Sequence, residues 1–295
     1  MTSNIDSSSV VVITGASSGL GAACAVRCAS KGATVVLVAR REDRLREVAL
    51  RVTDAGGSAV VIVADVSREA ECTRVVDSVA TTLGRIDLFI NNAGRGNLAS
   101  IEDTPTEQWR SMFAVNVDSV FWLTARALPL MKKANRGHII AISSVAGRYG
   151  YPFNAAYVAA KHAVMGFIAA LRTELVGTNV HATCICPAGI ITEWADVTEG
   201  GSIGALYAAA IPLSRTIARE RGLSMAPLTR MMSAEECADI IMSAIEGGRT
   251  NDVFTHKDTR ELAVQAVQDR CTQEDAFEAL WLAMRESYEQ QERSG

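Results

Sequence analysis

The feature that most constrains the fold of this 295-residue chain is an alternation of two kinds of segment. Short runs rich in β-branched residues recur along most of the sequence, and the stretches between them carry apolar residues at helical spacing. Strands that alternate with helices are joined by right-handed crossovers, so the pattern predicts an α/β fold with a doubly wound parallel sheet. Because the runs are continuously apolar, each strand is expected to be buried on both faces.

The boundaries of the predicted elements follow from these runs. We expect strands at Val10–Thr14, Thr34–Ala39, Ala59–Ala64, Ile86–Asn91, His138–Ser143 and Val180–Cys186. We expect helices at Gly19–Ser30, Glu42–Ala55, Arg68–Leu83, Thr106–Lys133 and Asn154–Val176. Pro105 marks a helix start, Gly137 ends the connection after the long helix, and Ser233-Ala-Glu-Glu236 predicts a capping box.

Three regions depart from the alternation, although we expect one domain over residues 1–295. Residues 1–8 are polar and predict a loose leader. Residues 188–232 surround an apolar helical piece at Ile203–Ile211 with glycines and prolines, which is typical of a substrate loop or lid. Residues 257–295 predict a C-terminal helical extension of two helices, packed on the body or on a partner subunit. Their apolar stripe comprises Leu262, Val264, Val267, Phe277, Leu280, Leu282 and Met284.

Composition excludes several classes of protein. The formal net charge of −4 lacks the basic footprint of a nucleic-acid binder, and no apolar run approaches the roughly 20 residues that span a membrane. The seven cysteines and four histidines form no cluster with metal-ligand spacing, so we expect no metal. Cys184 and Cys186 point to one face of a strand and are interpreted as small core residues, with a disulfide or metal as the alternative. Unpaired cysteines and no export signal predict a cytoplasmic protein.

A glycine-rich segment, Thr14-Gly-Ala-Ser-Ser-Gly-Leu-Gly21, follows the first predicted strand and opens the first helix. Its glycines permit a tight turn and let backbone N–H groups at the helix N-terminus approach a pyrophosphate. This position favours a dinucleotide-binding loop over an ordinary glycine turn. The candidate cofactor contacts in the loop are Gly15, Ser17, Ser18, Gly19, Leu20 and Gly21.

The end of the second predicted strand bears on the choice of nucleotide. NAD sites usually have an acid about 20 residues beyond the glycines, where it bonds the ribose 2′-hydroxyl. This chain has Ala39 there, followed by Arg40 and Arg41. Two guanidinium groups suit a 2′-phosphate in charge and geometry, which favours NADP(H). The alternative is that both arginines merely face solvent at a helix start.

Tyr157 and Lys161 stand four residues apart in a predicted helix, so their side chains share one face. A tyrosine needs roughly 4 kcal/mol of phenolate stabilisation to titrate near neutral pH. One ammonium about 4 Å away supplies roughly that much at an effective dielectric near 20. The pair is therefore a candidate acid/base, although such pairs also occur by chance on surface helices.

Two further polar residues are candidates for the same site. Ser144 ends a predicted strand, and ligands of parallel sheets gather at the carboxyl ends of strands. Its hydroxyl could hold a substrate oxygen beside the phenol, although turn chemistry would also explain it. Asn116 interrupts a long apolar helix, where an asparagine normally lowers helix stability. Its presence there would be explained if it held a water that relays protons from Lys161.

Together these motifs resemble the short-chain dehydrogenase/reductase family over roughly residues 10–254. They occur in the order of that family, with Asp65 and Asn91-Asn-Ala-Gly94 between the glycine loop and Asn116. One departure is Pro187-Ala188-Gly189, where family members usually have Pro-Gly, so the glycine beside the expected nicotinamide site is displaced by one position.

The resemblance implies a Rossmann-like fold and a role for each matching residue. Tyr157 would be the acid/base, Lys161 would lower its pKa and bind the nicotinamide ribose, and Ser144 would orient the carbonyl. Asn116 would complete a proton relay, and Arg40 would read the 2′-phosphate. Asp65 would bind the adenine, Asn92 the ribose region and Thr192 the cofactor amide. The full set of further cofactor contacts is Arg41, Asp65, Val66, Asn92, Ala93, Gly94, Pro187, Gly189, Ile190 and Thr192.

The sequence thus predicts an NADP(H)-dependent oxidoreductase that reduces a ketone or aldehyde to an alcohol, or the reverse. The alternatives are an NAD-dependent alcohol or hydroxysteroid-type dehydrogenase and a non-catalytic NADP-sensing scaffold. A hydrophobic small-molecule substrate is indicated by Tyr149, Tyr151, Phe153, Trp194 and Ile203–Ile211, unless these residues simply pack the core. The family resemblance also implies a homo-oligomer, a dimer or tetramer built on the helices Thr106–Lys133 and Asn154–Val176.

Overall fold

The computed structural model describes residues 5–195, 198–228, 230–248 and 250–294, without the side chains of Ala195 and residues 292–294. Its strands are β1 (Val10–Thr14), β2 (Thr34–Ala39), β3 (Ser58–Val63), β4 (Leu88–Asn91), β5 (Gly137–Ile142), β6 (Val180–Cys186), β7 (Ile190–Ile191), β8 (Met232–Ser233) and β9 (Asp252–Phe254). Its α-helices are α1 (Gly19–Ala29), α2 (Glu42–Asp54), α3 (Glu69–Leu83), α4 (Thr106–Phe113), α5 (Ser119–Ala134), α6 (Ala155–Glu174), α7 (Ile203–Arg221), α8 (Ala234–Glu246), α9 (Thr259–Gln268) and α10 (Arg270–Ser294).

The central element is a parallel sheet with the strand order β3-β2-β1-β4-β5-β6-β9. The order reverses between β1 and β4, where doubly wound sheets open a crevice for ligands at the strand carboxyl ends. The predicted doubly wound, Rossmann-like α/β class is confirmed, and the glycine loop lies at this crevice.

Side chains of β1 alternate between two hydrophobic cores on opposite faces of the sheet. Val11 and Ile13 pack with apolar residues of α1, α2 and α8, whereas Val10 and Val12 pack with those of α3, α5 and α6. Cys184 and Cys186 lie fully buried in the second core, as the interpretation of small core residues requires.

Two strands differ from the sequence expectation. β3 is an edge strand whose four central residues are only half-buried, so the prediction of burial on both faces is wrong for it. β9 was not predicted. Its first residue, Asp252, pairs with Arg148 at 2.5 Å and Arg172 at 2.9 Å, which ties this short edge strand to the body.

The predicted helix Thr106–Lys133 is interrupted. A π-helical turn at Ala114–Asp118 separates α4 from α5, and Asn116 is the buried residue of that turn. Helix α5 ends at Ala134, its C-cap Asn135 adopts a left-handed φ of 50°, and Gly137 begins β5. The predicted capping box is present, because the Ser233 hydroxyl accepts from Glu236 N–H and the Glu236 carboxylate accepts from Ser233 N–H.

The C-terminal extension packs on the body of the molecule. Helix α10 lies along α7, and Phe277, Leu280 and Met284 enter a third hydrophobic cluster with Tyr149 and Leu206. Of the other residues in the predicted apolar stripe, Leu262 and Leu282 are half-buried. Val264 and Val267 are exposed, so the prediction that the whole stripe packs on the body is wrong for these two valines.

The start of the described chain is ordered rather than loose. The Asp6 carboxylate accepts hydrogen bonds from Ser8 and Ser9, and Ile5 packs against the first core. Residues 1–4 of the predicted leader lie outside the described residues. Within the part of the chain that the structure describes, each helix is too short or too polar to cross a bilayer.

Candidate active site

The glycine loop is held against the end of β4 by a set of hydrogen bonds. The Thr14 hydroxyl accepts from the N–H groups of Asn92 and Ala93, both at 3.0 Å. The Asn92 amide donates to the carbonyls of Thr14 and Gly15 at 3.0 and 3.2 Å. Asn92 therefore fixes the conformation of the glycine loop, and the ribose contact that the family resemblance implies stays a prediction.

Glycine is required in this loop because neighbouring groups approach closely. Gly15 has a φ of 65°, and a Cβ there would lie 2.9 Å from Ala93 Cα. A Cβ on Gly21 would lie 2.6 Å from the Asn92 amide nitrogen. The loop is thus a cradle that any side chain would fill, and it opens α1 at Gly19. This arrangement fits the pyrophosphate of a dinucleotide, which backbone N–H groups at a helix N-terminus can bind.

Arg41 reaches over the glycine loop. Its guanidinium donates to the hydroxyls of Ser17 and Ser18, with N–O distances of 3.1 and 2.8 Å. Arg40 is exposed beside Asp65. Burial opposes ionisation of Asp65, but hydrogen bonds from Ser67 and the charge of Arg40 hold the pKa of its carboxyl below the usual value. Two guanidinium groups and one acid thus flank the end of the cradle at which an adenosine would lie.

Tyr157 and Lys161 share one face of α6, next to the end of β5. The Lys161 ammonium donates to the Ile142 carbonyl at 2.9 Å and lies 5.5 Å from the centre of the Tyr157 ring. The side chain of Ser144 lies near enough to the Tyr157 hydroxyl to lower the pKa of the phenol. The Ser144 hydroxyl also lies 3.1 Å from Ala146 N–H and 3.4 Å from the Pro187 carbonyl. The structure therefore brings the three residues together at the carboxyl edge of the sheet.

The electrostatics of this group differ from the sequence expectation. Burial raises the pKa of Tyr157 to about 12, against an opposing hydrogen bond from Ser144, and burial lowers the pKa of Lys161 to about 8. Without cofactor the pKa of the phenol is thus shifted in the direction opposite to the sequence expectation, because burial disfavours the charged phenolate. The phenol is protonated at neutral pH, which is the state that a proton donor needs.

We predict that Lys161→Met raises the stability of the cofactor-free protein at pH 7 while lowering activity. The lysine is charged at pH 7 in both the folded and unfolded states, and its burial penalises only the folded state. A pKa of about 8 in the folded state lies below the unfolded value near 10.5, so wild-type stability rises with pH between them. That gain is on the order of 3 kcal/mol and is absent from the variant.

The measurement is the melting temperature of wild type and Lys161→Met without cofactor, at pH 7 and pH 9.5. The advantage of the variant should shrink as pH rises. Lys133→Met, a change at the exposed end of α5, is the matched control and should show no such trend. A stability difference between wild type and Lys161→Met that is the same at both pH values would contradict the burial argument.

Asn116 lies on the far side of Gly94 from the loop. Its amide nitrogen donates to the carbonyls of Arg95 and Met112 at 2.9 and 3.0 Å, while its carbonyl oxygen is buried and has no hydrogen-bond partner in the part of the chain that the structure describes. A Cβ on Gly94 would lie 2.6 Å from that oxygen and 3.4 Å from the Lys161 ammonium. Because Gly94 has no side chain, the Asn116 carbonyl oxygen and the Lys161 ammonium can come close together. A relay water could bind at that Asn116 oxygen.

The segment after β6 crosses the crevice from the catalytic end to the loop. The Pro187 carbonyl accepts from Val145 N–H at 2.9 Å, and Thr192 packs over Gly19. Trp194 lies against Tyr157, with ring centroids 5.1 Å apart. The shifted Gly189 is accommodated because its carbonyl accepts from Met232 N–H as β7 pairs with β8.

The remaining predicted cofactor contacts also border the crevice. Leu20 is buried in the first turn of α1, Val66 is buried beside Asp65, and Ile190 is half-buried in β7. Two arginines near the crevice form ion pairs, Arg95 with Glu199 at 3.3 Å and Arg148 with Asp252.

Sequence reasoning missed Asn97. It is fully buried, its carbonyl oxygen accepts from Tyr157 N–H at 3.2 Å, and its amide nitrogen has no partner among the described residues. It also missed His256, whose ring nitrogen lies 3.4 Å from Ala188 N–H. Neither residue is part of a recognisable motif, and each reaches the site from a distant part of the chain.

Comparison with known proteins places this geometry in context. The sequence matches the short chain dehydrogenase family over residues 9–200. It is 38% identical over 183 residues to a D-beta-hydroxybutyrate dehydrogenase of Rhizobium meliloti, covering 61% of this chain and 71% of that protein. It is 36% identical over 184 residues to a 3beta-hydroxysteroid dehydrogenase of Mediterraneibacter gnavus, covering 62% of this chain and 66% of that protein.

Among solved structures, a short chain dehydrogenase/reductase from Burkholderia phymatum in complex with NAD superposes with a TM-score of 0.75 at 27% identity. The match covers 90% of this chain and 95% of that one. The fold and the glycine cradle define a Rossmann-like oxidoreductase that uses a nicotinamide cofactor. The chain belongs to the short-chain dehydrogenase/reductase family.

Proposed function

We propose that this protein is an NADP(H)-dependent oxidoreductase that reduces a ketone or aldehyde to an alcohol, or catalyses the reverse, with Tyr157 as acid/base. The observation that carries the proposal is the placement of the Tyr157 and Ser144 side chains next to each other beside the buried Lys161, at the sheet edge that also holds the glycine cradle. A substrate oxygen placed between the two hydroxyls would meet both at once.

A bound nicotinamide cofactor supplies or accepts the hydride. In reduction, Ser144 would orient the carbonyl oxygen and Tyr157 would donate its proton to the oxygen as negative charge develops there. The high pKa of Tyr157 keeps that proton in place at neutral pH. Lys161, with Asn116 across Gly94, would return a proton to Tyr157 through water. In oxidation each proton moves in the opposite direction.

The NADP(H) part of the proposal rests on residues of this chain, because the solved relative described above is in complex with NAD. β2 ends at Ala39, where an acid would repel a 2′-phosphate, and Arg40 and Arg41 follow at once. Both side chains are exposed at the end of the cradle where the adenosine ribose would lie. Guanidinium groups there supply charge-assisted hydrogen bonds to a phosphate.

We further propose that the substrate is hydrophobic and that the protein is cytoplasmic. Tyr149 and Tyr151, Phe153 and Trp194 belong to the third cluster beside Tyr157, and α7, within the proposed lid at residues 188–232, closes over them. Helix α10 completes this wall, with Tyr288 stacked on Phe153 at 4.1 Å.

The test is consumption of NADPH with a panel of ketones and aldehydes, from short hydroxy-acid precursors to steroids, repeated with NADH. Turnover of a hydrophobic carbonyl with higher kcat/KM for NADPH is the expected result. Turnover with a preference for NADH would instead support the dehydrogenase alternative. Tight NADPH binding with no turnover of any carbonyl would favour the sensing scaffold.

We predict that the protein forms a homo-oligomer through α5 and α6, a dimer or tetramer. Phe121 of α5 is 52% exposed and contacts Phe167 of α6 edge to face, at 6.2 Å between centroids. An aromatic pair open to solvent suits a contact with a second copy. Light scattering at micromolar concentration should give at least a dimer, and Phe121→Asp should shift it toward the monomer. A wild-type monomer would refute the proposal.

A further inference from the structure

Glu193 lies between the two ends of the crevice and faces two arginines at the start of α2, the N-cap Arg41 and Arg44. Its carboxylate is 3.4 Å from the Arg41 guanidinium and 3.8 Å from that of Arg44. Its neighbours in sequence hold it there, because Thr192 packs over Gly19 and Trp194 lies against Tyr157. An acid in the segment after β6 thus reaches across the crevice to the end where the adenosine ribose would lie.

Arg41 therefore has two sets of partners in this structure. One terminal nitrogen donates to Ser17 and Ser18 of the glycine loop, and the other faces Glu193. A phosphate that approached the same guanidinium would meet a carboxylate already beside it. The two anions would repel each other and would compete for the same N–H donors.

We propose that Glu193 is a specificity-determining residue that competes with the 2′-phosphate of the cofactor for Arg41. This inference rests on the proposed NADP(H) function. Glu193 lowers the affinity for the phosphorylated nucleotide and leaves the affinity for its unphosphorylated counterpart almost unchanged. Glu193 thereby reduces the preference for NADP(H) over NAD(H) that Arg40 and Arg41 create.

The size of the effect follows from exposure. Arg41 and Glu193 are each about half exposed, with side-chain accessibilities of 50% and 52%. Ion pairs of this kind shift an equilibrium by up to about fivefold at low salt. We therefore expect about a threefold change in affinity. It should diminish in 0.5 M salt, because screening acts within a few ångströms at that ionic strength.

The test uses the full-length protein and calorimetric titration of two probes, adenosine 2′,5′-bisphosphate and 5′-AMP. Glu193→Gln removes the charge and keeps the shape of the side chain. Glu47→Gln is the matched control, because Glu47 pairs with Arg44 at 3.4 Å but not with Arg41. Glu193→Gln should tighten binding of the bisphosphate about threefold and change that of 5′-AMP by less than about 1.5-fold. Glu47→Gln should change neither.

The outcomes separate this inference from the NADP(H) proposal. Unchanged or weaker bisphosphate binding in Glu193→Gln would overturn the role of Glu193, whatever the preference of the wild type. An equal gain for both probes, or the same gain in Glu47→Gln, would also overturn it, because the effect would then be a general one of charge. A wild type that binds 5′-AMP more tightly than the bisphosphate would overturn the NADP(H) proposal. A selective gain in Glu193→Gln would still support the competition in that case.

Discussion

Tyr157→Phe is expected to lower kcat by at least about 100-fold while the protein still binds NADPH, since general acid–base catalysis typically contributes factors of this size. The substitution removes one oxygen and keeps the ring. Packing of the ring against Trp194 at 5.1 Å is therefore preserved, and so is the helix N-terminus that Asn97 holds. Only the proton donor is lost, together with the interaction of its oxygen with Ser144. Turnover and NADPH binding are measured on the same preparation.

A matched control separates loss of chemistry from loss of packing. Tyr149→Phe removes a buried phenol oxygen from the same aromatic cluster, where Tyr149 packs against Phe277 at 5.8 Å between centroids. It should lose at most a few-fold in kcat. If Tyr157→Phe retained more than a few per cent of wild-type kcat, Tyr157 would not be the acid/base, and equal losses in the two variants would indicate a structural effect.

The central strands could be predicted from sequence because they are buried on both faces. Burial of this kind leaves continuous β-branched runs such as Val10–Thr14, which have few alternative interpretations. The start of α8 was also predictable, since a capping box is specified by residues three positions apart. Information local in sequence sufficed in both cases.

The elements that escaped prediction depend on distant contacts. β9 is three residues long, and its Asp252 pairs with arginines 80 and 104 positions earlier. The π-helical turn at Ala114–Asp118 directs Asn116 toward the backbone of Arg95, 21 residues earlier. The apolar residues of Thr106–Lys133 follow helical spacing without any sign of this contact with Arg95. The sequence therefore predicts one continuous helix.

The candidate site also has features that local sequence predicts and features that depend on distant contacts. The spacing of Tyr157 and Lys161 was enough to place them on one face of a helix. The direction of their pKa shifts was not predictable, because it depends on how far the fold removes them from water. Glu193 stands 152 residues after Arg41, so its approach to that arginine could only be seen in the structure.

The last prediction concerns the nucleotide. Arg40→Asp should weaken NADPH binding more than tenfold and NADH binding far less, because a charge-assisted hydrogen bond is worth roughly 1.5–3 kcal/mol. Aspartate also adds repulsion toward the phosphate and can accept a ribose hydroxyl. Arg41, which donates to Ser17 and Ser18 of the glycine loop, would compensate in part, so the double variant Arg40→Asp/Arg41→Asp should show a larger loss.

These substitutions should leave the fold intact, which makes the kinetics interpretable. Arg40 is exposed, and Arg41 is the N-cap residue of α2, a position that aspartate favours. Arg46→Asp is the matched charge reversal, because Arg46 lies on the same helix and pairs only locally with Glu42 among the ion pairs seen in the described residues. It should change kcat/KM for both cofactors by less than about twofold. If Arg40→Asp lowers kcat/KM for NADPH and NADH equally, Arg40 supports the fold and not the phosphate. If wild type itself prefers NADH, the guanidinium pair at the end of β2 does not create a preference for NADPH, and the NAD-dependent alternative is correct.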